Sequence, residues 1–334
     1  MKHVIITGGA GFIGSHLCES FLERGYAVTA LDDFVTGRAE NVAALIKHPD
    51  FDLVECDVSH KIPEHKLSNM QHGLHGILHF ACPASPVDFQ KIPFEILRVD
   101  SLGTMITVDL ALRFNARYLL ASTSEIYGDP LVHPQKEDYF GNVNTLGPRA
   151  CYDEAKRFAE AFVNSAMRHH SLNAGIVRIF NTYGPRMRPD DGRIIPEFMG
   201  RGLQGESIRV CGDGLQTRSF CFVSDLVEGI VRFYESSVQD VINLGNPDER
   251  SVLEVAQLIR EMTGDRSPIH HVPAREDDPR RRCPVIDKAE RLLDWRPQVD
   301  LTEGLERTLK YFRTATTEPV TSRAPARSAV WAAQ

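Results

Sequence analysis

The chain has 334 residues, enough to bury a sizeable core in one large domain or two modest ones. Hydrophobic residues make up 42% of it, charged residues make up 25%, and the net charge is -7. This ordinary composition argues against a nucleic-acid or anionic-membrane surface, because both would repel the protein's net charge. The seven cysteines form no CxxC pair, which favours reduced thiols in a cytoplasm over disulfides or zinc. The chain starts directly with a strand pattern, so neither a signal peptide nor a membrane span is predicted.

The first 24 residues predict a strand, a glycine-rich turn and a helix. Residues 2–7 are a short apolar run rich in β-branched side chains, and residues 12–24 have helical periodicity. Between them the sequence GGAGFIG has GxxGxxG spacing, which lets backbone N–H groups approach a pyrophosphate at the N-terminus of a helix. The predicted cofactor contacts of this turn are Gly8, Gly11, Phe12, Ile13 and Gly14.

A second predicted strand, residues 27–31, ends at Asp32, which is 18 residues after Gly14. A carboxylate at this position binds the ribose diol of NAD and repels the 2′-phosphate of NADP. NAD is therefore the expected cofactor, although the nearby Arg38 keeps NADP as a second option. Further predicted cofactor contacts follow this strand and the next two, and they are Asp33, Thr36, Gly37, Asp57, Val58 and Ala81.

The alternation of strands and helices continues through the first half of the chain. Strands are predicted at 51–56, 76–81, 117–121 and 174–179, and helices at 93–114 and 150–169. Such alternation is typical of an α/β fold with a Rossmann-type, doubly wound parallel sheet. A stiff loop, residues 82–86, is expected near the nicotinamide edge and ends at Pro86, a predicted substrate contact.

The sequence pattern changes in the second half, where loop-like segments separate shorter strands and helices. This pattern predicts a smaller C-terminal α/β domain that binds the substrate. Residues 181–193 and the charged segment 277–282 have loop character. We assign residues 1–180 to an NAD-binding domain to which 218–262 return, residues 181–313 mainly to the substrate-binding domain, and residues 314–334 to a disordered tail. The remaining predictions are strands at 208–211, 218–223 and 241–244, and helices at 194–202, 224–235, 252–262 and 302–312.

Tyr152 and Lys156 are four residues apart on a predicted helix and therefore face the same way. A nearby ammonium and a positive nicotinamide ring are expected to lower the pKa of the phenol, so that Tyr152 acts as a general base. Thr123 or Ser124, at the end of the fifth strand, would bridge Tyr152 to a substrate hydroxyl. Glu125 is expected to be a second acid or base, which suggests chemistry at a carbon made acidic by a transient ketone.

Several arginines in the second half suit a diphosphate or a carboxylate, because guanidinium groups bind both through paired charge-assisted hydrogen bonds. Asn181 is a further candidate, since it directly follows a predicted strand. The predicted substrate contacts are Pro86, Glu125, Asn181, Arg186, Arg193, Arg218 and Arg282.

The candidate site residues lie in or near specific sequence motifs. These include IITGGAGFIGSH from residue 5, LASTSEIYGDP from 120, GPRACYDE from 147 and NLGNP from 243. With them the chain resembles the extended short-chain dehydrogenase/reductase family and, within it, the UDP-glucuronate decarboxylase family. The resemblance implies a tightly held NAD that is regenerated in each cycle. C4 of the sugar is oxidised, the β-keto acid loses CO2, and the ketone is reduced again. It also implies a homodimer joined by helices like 93–114 and 150–169.

By the same likeness, Tyr152 is the C4 base, Lys156 its partner, and Glu125 the second acid or base. Thr123 and Ser124 form the hydroxyl relay. The residues that the likeness assigns to the nucleotide diphosphate are Asn181, Arg193, Arg218 and Arg282.

Some positions depart from the family's pattern where the substrate is recognised, and Asp88 would repel a glucuronate carboxylate if it faced the pocket. A second interpretation is therefore the same keto-intermediate chemistry used for epimerisation or dehydration of another nucleotide sugar or a nucleoside. A third, a non-catalytic dinucleotide sensor, predicts a broken catalytic pair, yet Tyr152 and Lys156 are both present. The departing residues are Asp33, Val87, Asp88, Phe89, Asp100, Pro196, Glu197 and Cys211.

Overall fold

A computed structural model describes residues 1–264 and 267–315 of the chain. Seven parallel strands form a central sheet, and the other described strands form three small sheets. Numbered in chain order, with the ranges given next, the strands of the central sheet lie in the order β11-β6-β5-β4-β1-β2-β3. In chain order the strands are β1 (His3–Thr7), β2 (Ala27–Asp32), β3 (Phe51–Glu55), β4 (Gly76–His79), β5 (Arg117–Thr123), β6 (Ala174–Ile179), β7 (Thr182–Tyr183), β8 (Arg209–Cys211), β9 (Thr217–Ser219), β10 (Cys221–Phe222), β11 (Val241–Leu244), β12 (Glu249–Ser251), β13 (His270–Val272) and β14 (Arg281–Arg282).

Helices pack on both faces of the central sheet, as the alternating pattern predicts. A π-helical turn, Val99–Gly103, joins two of them into one long helical segment. In chain order the helices are α1 (Phe12–Glu23), α2 (Pro86–Lys91), α3 (Pro93–Arg98), α4 (Thr104–Phe114), α5 (Ala150–His170), α6 (Ile194–Gln204), α7 (Val223–Glu235), α8 (Val252–Thr263), α9 (Asp287–Leu293) and α10 (Leu301–Ala315).

The central strands are buried on both faces, which is why their sequences are continuous apolar runs without alternation. One core contains Phe21 and Phe233 on the α1 and α7 side, and the other contains Val108 and Val163 on the α4 and α5 side. The strand order reverses between β1 and β4, so a crevice opens beyond their carboxyl ends. The predicted Rossmann-type fold class is thus confirmed.

The small sheets are formed by the second half of the chain, which they bring to the carboxyl ends of the central strands. β9 lies between β12 and β14, and its pairing with β14 places Arg218 opposite Arg282. β7 pairs with β10 directly after the last residues of β6, and β8 pairs with β13.

Four local predictions need correction. The loop predicted at 82–86 ends in α2, which Ser85 caps and Pro86 begins, both of them ordinary helix-start signals. The helix predicted at 93–114 is divided by the π turn, and the strand predicted at 218–223 breaks at Phe220. The loop character predicted for 181–193 and 277–282 is interrupted by the short strands β7 and β14.

The disordered tail predicted from residue 314 begins too early, because α10 continues to Ala315; residues 316–334 of that prediction lie outside the described residues. Within the residues that the structure describes, no helix is long and apolar enough to cross a membrane.

Candidate active site

The glycine-rich turn between β1 and α1 leaves space that side chains would fill. A Cβ on Gly14 would lie 2.0 Å from the carbonyl oxygen of Gly8, and one on Gly8 would lie 2.8 Å from that of Phe80. Gly8 also has a φ of 69°, which favours glycine. Among the described residues, no side chain caps the N-terminus of α1. The turn therefore offers backbone N–H donors and close access, which fits the pyrophosphate of a dinucleotide.

Asp32 lies at the end of β2, facing the same turn. Its carboxylate accepts hydrogen bonds of 2.9 Å from the backbone N–H groups of Ala10 and Phe34. Burial raises the pKa of Asp32 to about 6, while these two donors oppose the rise. Gly37 lies against it, since a Cβ there would approach Asp32 Oδ1 to 2.4 Å. An acceptor at this strand end fits a ribose diol, so the residues present fit NAD.

The other predicted cofactor contacts are arranged around the same edge. The carboxylate of Asp57 accepts hydrogen bonds from the backbone and the hydroxyl of Ser59, and Val58 is buried beside it. The backbone N–H of Ala81 donates to Thr7 Oγ1 at 3.1 Å, which joins the ends of β4 and β1. Their contact with a cofactor stays a prediction.

Tyr152 and Lys156 lie on one face of α5 and are both buried, as their spacing predicts. Lys156 Nζ is 5.8 Å from the centre of the Tyr152 ring, and the hydroxyl of Thr123 is near enough to the phenol to lower its pKa. Phe89 of α2 stacks on Tyr152 with ring centres 4.8 Å apart. Lys156 Nζ donates to Asp100 Oδ1 at 2.8 Å and to the carbonyl oxygen of Ala121 at 3.0 Å. The lysine thus has a carboxylate partner that the sequence did not predict.

The expected lowering of the phenol's pKa includes the charge of a nicotinamide ring and stays a prediction, because the ammonium of Lys156 does not by itself bring it about. Burial raises the pKa of Tyr152 well above its ordinary value, and this outweighs the opposing effect of Lys156. Cys82 and Asp100 raise the pKa further. Tyr152 is therefore protonated at neutral pH in this state of the protein, mainly because burial disfavours the charged phenolate.

Glu125 follows β5 and is held between two arginines. Arg149 Nη2 lies 2.6 Å and Arg282 Nη2 lies 3.3 Å from its carboxylate oxygen Oε2. Although burial opposes ionisation, Arg282, Arg149 and then Arg218 lower the pKa of Glu125 to about 2. Glu125 is therefore a carboxylate throughout the physiological pH range.

Asp153, next to Tyr152 on α5, lies near the same group of charges. Its Oδ1 atom is buried with no hydrogen-bond partner among the described residues. Burial raises the pKa of Asp153 to about 8, with a further contribution from Glu125. The Nε and Nη1 atoms of Arg282 are likewise buried and without a partner in the part of the chain that the structure describes. This end of the site therefore has unused donors and an unused acceptor.

Two other predicted substrate contacts, Arg218 and Arg186, lie in different parts of the site region. Arg218 pairs with Asp278 at 2.8 Å and lies beside Arg282, whereas Arg186 pairs with Glu19 of α1 at 2.7 Å. The structure therefore does not bring Arg186 together with the arginines around Glu125.

Arg193 pairs with Asp191, and its guanidinium carbon lies 6.0 Å from the ring centre of Phe12 in the glycine-rich turn. Asn181 lies between β6 and β7 and is partly exposed, and Pro86 is the first residue of α2. Ser124 is buried next to Thr123.

Asp88 does not present a free charge. Its carboxylate accepts hydrogen bonds from Ser85 Oγ at 2.7 Å and from Arg188 Nη2 at 2.8 Å. The repulsion of a substrate carboxylate considered from the sequence is therefore balanced by Arg188.

The sequence analysis gave no role in the site to Arg149, Asp100 or Phe89, although it named Asp100 and Phe89 as departures from the family's pattern. Arg149 was visible as a cation directly before the helix of Tyr152, and Asp100 as an acid within an apolar helical pattern. Phe89 carried only an ordinary apolar signal, because nothing local shows which ring a phenylalanine will contact.

The parallel sheet, the glycine-rich turn with Asp32, and the Tyr152–Lys156 pair together define a nucleotide-dependent enzyme of the Rossmann type. The chain belongs to the NAD dependent epimerase/dehydratase family, whose pattern matches residues 4–245. This membership confirms the expected cofactor, NAD, and the resemblance to the extended short-chain dehydrogenases/reductases.

The relatives include UDP-glucuronic acid decarboxylase 1 of Danio rerio, which is 47% identical over 311 residues that cover 93% of this chain and 72% of the relative. Among solved structures, UDP-glucose 4-epimerase of Thermotoga maritima, with UDP-glucose, gives a TM-score of 0.85 at 27% identity, covering 94% of this chain and 99% of that one. The UDP-glucuronic acid 4-epimerase of Bacillus cereus, in complex with UDP-glucuronic acid and NAD, gives 0.84 at 25% identity with the same coverage.

Proposed function

We propose that this protein is a UDP-glucuronate decarboxylase that uses NAD and forms UDP-xylose. The observation that carries the proposal is the 47% identity over 93% of the chain to a decarboxylase of that name. The site supports it, since Tyr152 lies beside Lys156 and Glu125 lies between arginines at the same edge of the sheet.

Tyr152 takes the proton of the C4 hydroxyl of the sugar, and Thr123, whose hydroxyl lies near the phenol, serves as the relay between them. NAD, when bound, supplies the chemistry that accepts the hydride from C4 and later returns it. Lys156 lies one helical turn from Tyr152 and stabilises the phenolate when it forms. Tyr152 returns the proton to the C4 oxygen when the ketone is reduced.

Oxidation at C4 places a ketone β to the sugar carboxylate. The carbon–carbon bond to the carboxylate then breaks, CO2 leaves, and the bond's electron pair moves into the ketone to give an enolate. A proton from the solvent is then added at C5. Within the described residues, Arg282 has buried donors without a partner beside Glu125, and these suit a negatively charged group of the substrate at this end of the site.

Glu125 cannot donate a proton from its resting state, because the arginines hold its pKa at about 2. We assign it a role as a base or as a charge that orients Arg149 and Arg282. A role as an acid would require it first to leave Arg149, the partner at 2.6 Å.

Incubation of the purified protein and NAD with UDP-glucuronate tests the proposal, with the nucleotide products and released CO2 followed by mass spectrometry. We expect one CO2 for each UDP-pentose formed. An isomeric UDP-hexuronate without CO2 would identify an epimerase instead. A lack of turnover with NAD bound would exclude this substrate and direct the search to other nucleotide sugars.

The same proposal includes a homodimer formed through α3, α4 and α5. These helices and the π turn between α3 and α4 carry exposed apolar side chains, among them Phe94, Leu97, Leu102 and Phe158. Phe94 is 58% exposed, so its ring is available to a second copy. Light scattering on a size-exclusion column should give twice the monomer mass for the native protein. Phe94→Glu should shift the mass towards the monomer, whereas Phe140→Glu, an exposed phenylalanine in the loop before α5, should not.

The division into an NAD-binding part and a substrate-binding part, with β11 returning to the central sheet, belongs to this proposal as well. A cytoplasmic location is also proposed, because all seven cysteines, which lie within the described residues, are free thiols.

A further inference from the structure

The ammonium of Lys156 has a buried counter-ion that the proposed chemistry does not use. Lys156 is 3% exposed and Asp100 is not exposed at all. The 2.8 Å contact between Nζ and Oδ1 is therefore shielded from water, and the Coulomb interaction across it is strong. A closed ion pair of this kind changes what Lys156 can do for its neighbour Tyr152.

The position of Asp100 comes from the π turn Val99–Gly103 between α3 and α4. Such a turn adds a residue to the helix and changes the direction of the side chains that follow. The carboxylate is fixed from two sides, because Oδ2 accepts a hydrogen bond from Cys82 Sγ at 3.0 Å while Oδ1 contacts Lys156. Asp100 is therefore held in place by the loop after β4 as well as by α5.

The geometry points to Asp100 as a positioning residue that cancels the charge of Lys156 and so holds the Tyr152 phenol in its protonated form. This inference rests on the proposed function for the role of Tyr152 as the base. The ammonium alone would favour the phenolate, and a carboxylate at 2.8 Å from that ammonium opposes it. Positive charge brought by the cofactor then decides when Tyr152 can accept a proton.

The other titratable groups around this pair are held neutral by burial. Burial lowers the pKa of His79 to about 3 and raises the pKa of the Cys82 and Tyr118 groups. Burial also raises the pKa of Cys151, which lies near Cys82. The ion pair of this set is Lys156 with Asp100, so the electrostatic balance that acts on Tyr152 beyond burial is between these two.

The test is a pH titration of tyrosinate absorbance in the protein freed of cofactor, comparing native protein with Asp100→Asn. The chain has eight tyrosines, so the signal of Tyr152 must be isolated. The titration is therefore repeated with Tyr152→Phe in the native protein and in Asp100→Asn, and each of these curves is subtracted from that of its parent. In Asp100→Asn we expect Tyr152 to ionise at lower pH, with a tyrosinate fraction on the order of tenfold larger below the midpoint. Asp109→Asn, the same charge change at an exposed site on α4, should leave the titration unchanged.

Asp100→Ser is the second variant, because it removes the charge with a smaller side chain if asparagine prevents folding, and circular dichroism checks the fold of both. An unchanged titration in folded variants, or a shift to higher pH, would overturn the inference. With UDP-glucuronate as substrate, the acidic limb of the kcat/KM profile should move to lower pH in the same variants. Because the tyrosinate titration needs no substrate, it remains decisive even if UDP-glucuronate is not turned over.

Discussion

The two ends of the candidate site both contain buried ion pairs, but the charges are arranged in opposite ways. At one end a single carboxylate, Asp100, neutralises Lys156 next to an uncharged phenol. At the other end Arg149 and Arg282 surround a single carboxylate, Glu125. The first end is therefore close to neutral, while the second has an excess of positive charge.

This difference separates two roles that the sequence treated alike as bases. Burial raises the pKa of Tyr152, so the phenol keeps its proton until another positive charge arrives. The arginines lower the pKa of Glu125 to about 2, so this group stays a carboxylate at neutral pH and holds the two cations. An anionic substrate is expected to bind at the arginine-rich end, with its reacting hydroxyl towards Tyr152.

The largest effect expected is on activity, from Tyr152→Phe. The substitution keeps the ring that stacks on Phe89 but removes the hydroxyl that we propose exchanges the proton with the sugar. We expect kcat to fall roughly 10²- to 10⁴-fold, the usual contribution of a general base, with NAD binding retained. Tyr311→Phe on α10 is the matched control and should leave kcat unchanged. A native rate in Tyr152→Phe would remove Tyr152 from the chemistry.

Glu125→Gln tests the opposite end through stability. A carboxylate with a pKa lowered from 4.5 to about 2 stabilises the folded state by about 3 kcal/mol above pH 4.5, and this is lost as the pH falls towards 2. The variant should therefore lose about 3 kcal/mol of unfolding free energy at neutral pH. Urea unfolding at a series of pH values should show the gap between native protein and variant closing below about pH 4.5.

Glu154→Gln is the control for that measurement, since Glu154 makes only a partly exposed 3.6 Å pair with Arg157. We expect its effect to stay below about 1 kcal/mol. A gap for Glu125→Gln that does not depend on pH would mean that the arginines do not stabilise the carboxylate as described.

Tyr127→Phe tests the buried hydrogen bonds that hold the chain beside Glu125 at the arginine-rich end. The buried Tyr127 hydroxyl donates to Asn243 Oδ1 at 2.8 Å and accepts from Arg178 Nη1 at 2.9 Å. Without it two buried polar groups each lose a partner, and we expect a loss of about 1–3 kcal/mol in urea unfolding. The same change at Tyr139, whose hydroxyl accepts from an exposed backbone N–H, should have a smaller effect.

The smallest effect on stability is expected from Phe89→Leu, which tests the end of the site where Asp100 neutralises Lys156. It removes an aromatic stack that contributes about 0.5–1.5 kcal/mol and lets water approach the phenol. Because burial is the main reason for the raised pKa of Tyr152, tyrosinate should appear at lower pH in this variant. Phe140→Leu, whose ring is 88% exposed, is the control. An unchanged tyrosinate titration would show that Phe89 does not shield Tyr152.

Most of the fold was predictable from local patterns. The continuous apolar runs gave the central strands within a few residues, because a strand buried on both faces has little choice of side chain. The missed helix α2 had visible signals in Ser85 and Pro86, whereas the π turn had none, since helical periodicity does not show an added residue.

The site was predictable only in part, for a similar reason. Tyr152, Lys156, Thr123 and Glu125 were identified because each pair lies within one element or at one strand end. Arg282 was identified as a candidate anion ligand, but its contact with Glu125 was not, because it comes from the pairing of β14 with β9.

The sequence by itself determined the class of fold, the nucleotide-binding turn, the tyrosine–lysine pair and the family. These follow from spacings of a few residues, over which backbone geometry fixes the positions of side chains. Only the tertiary structure decided which charges meet. Asp100 is 56 residues from Lys156, and Glu125 is 157 residues from Arg282. Contacts over such separations depend on how whole elements pack, and that packing sets the protonation of Tyr152 and Glu125 through burial and neighbouring charge.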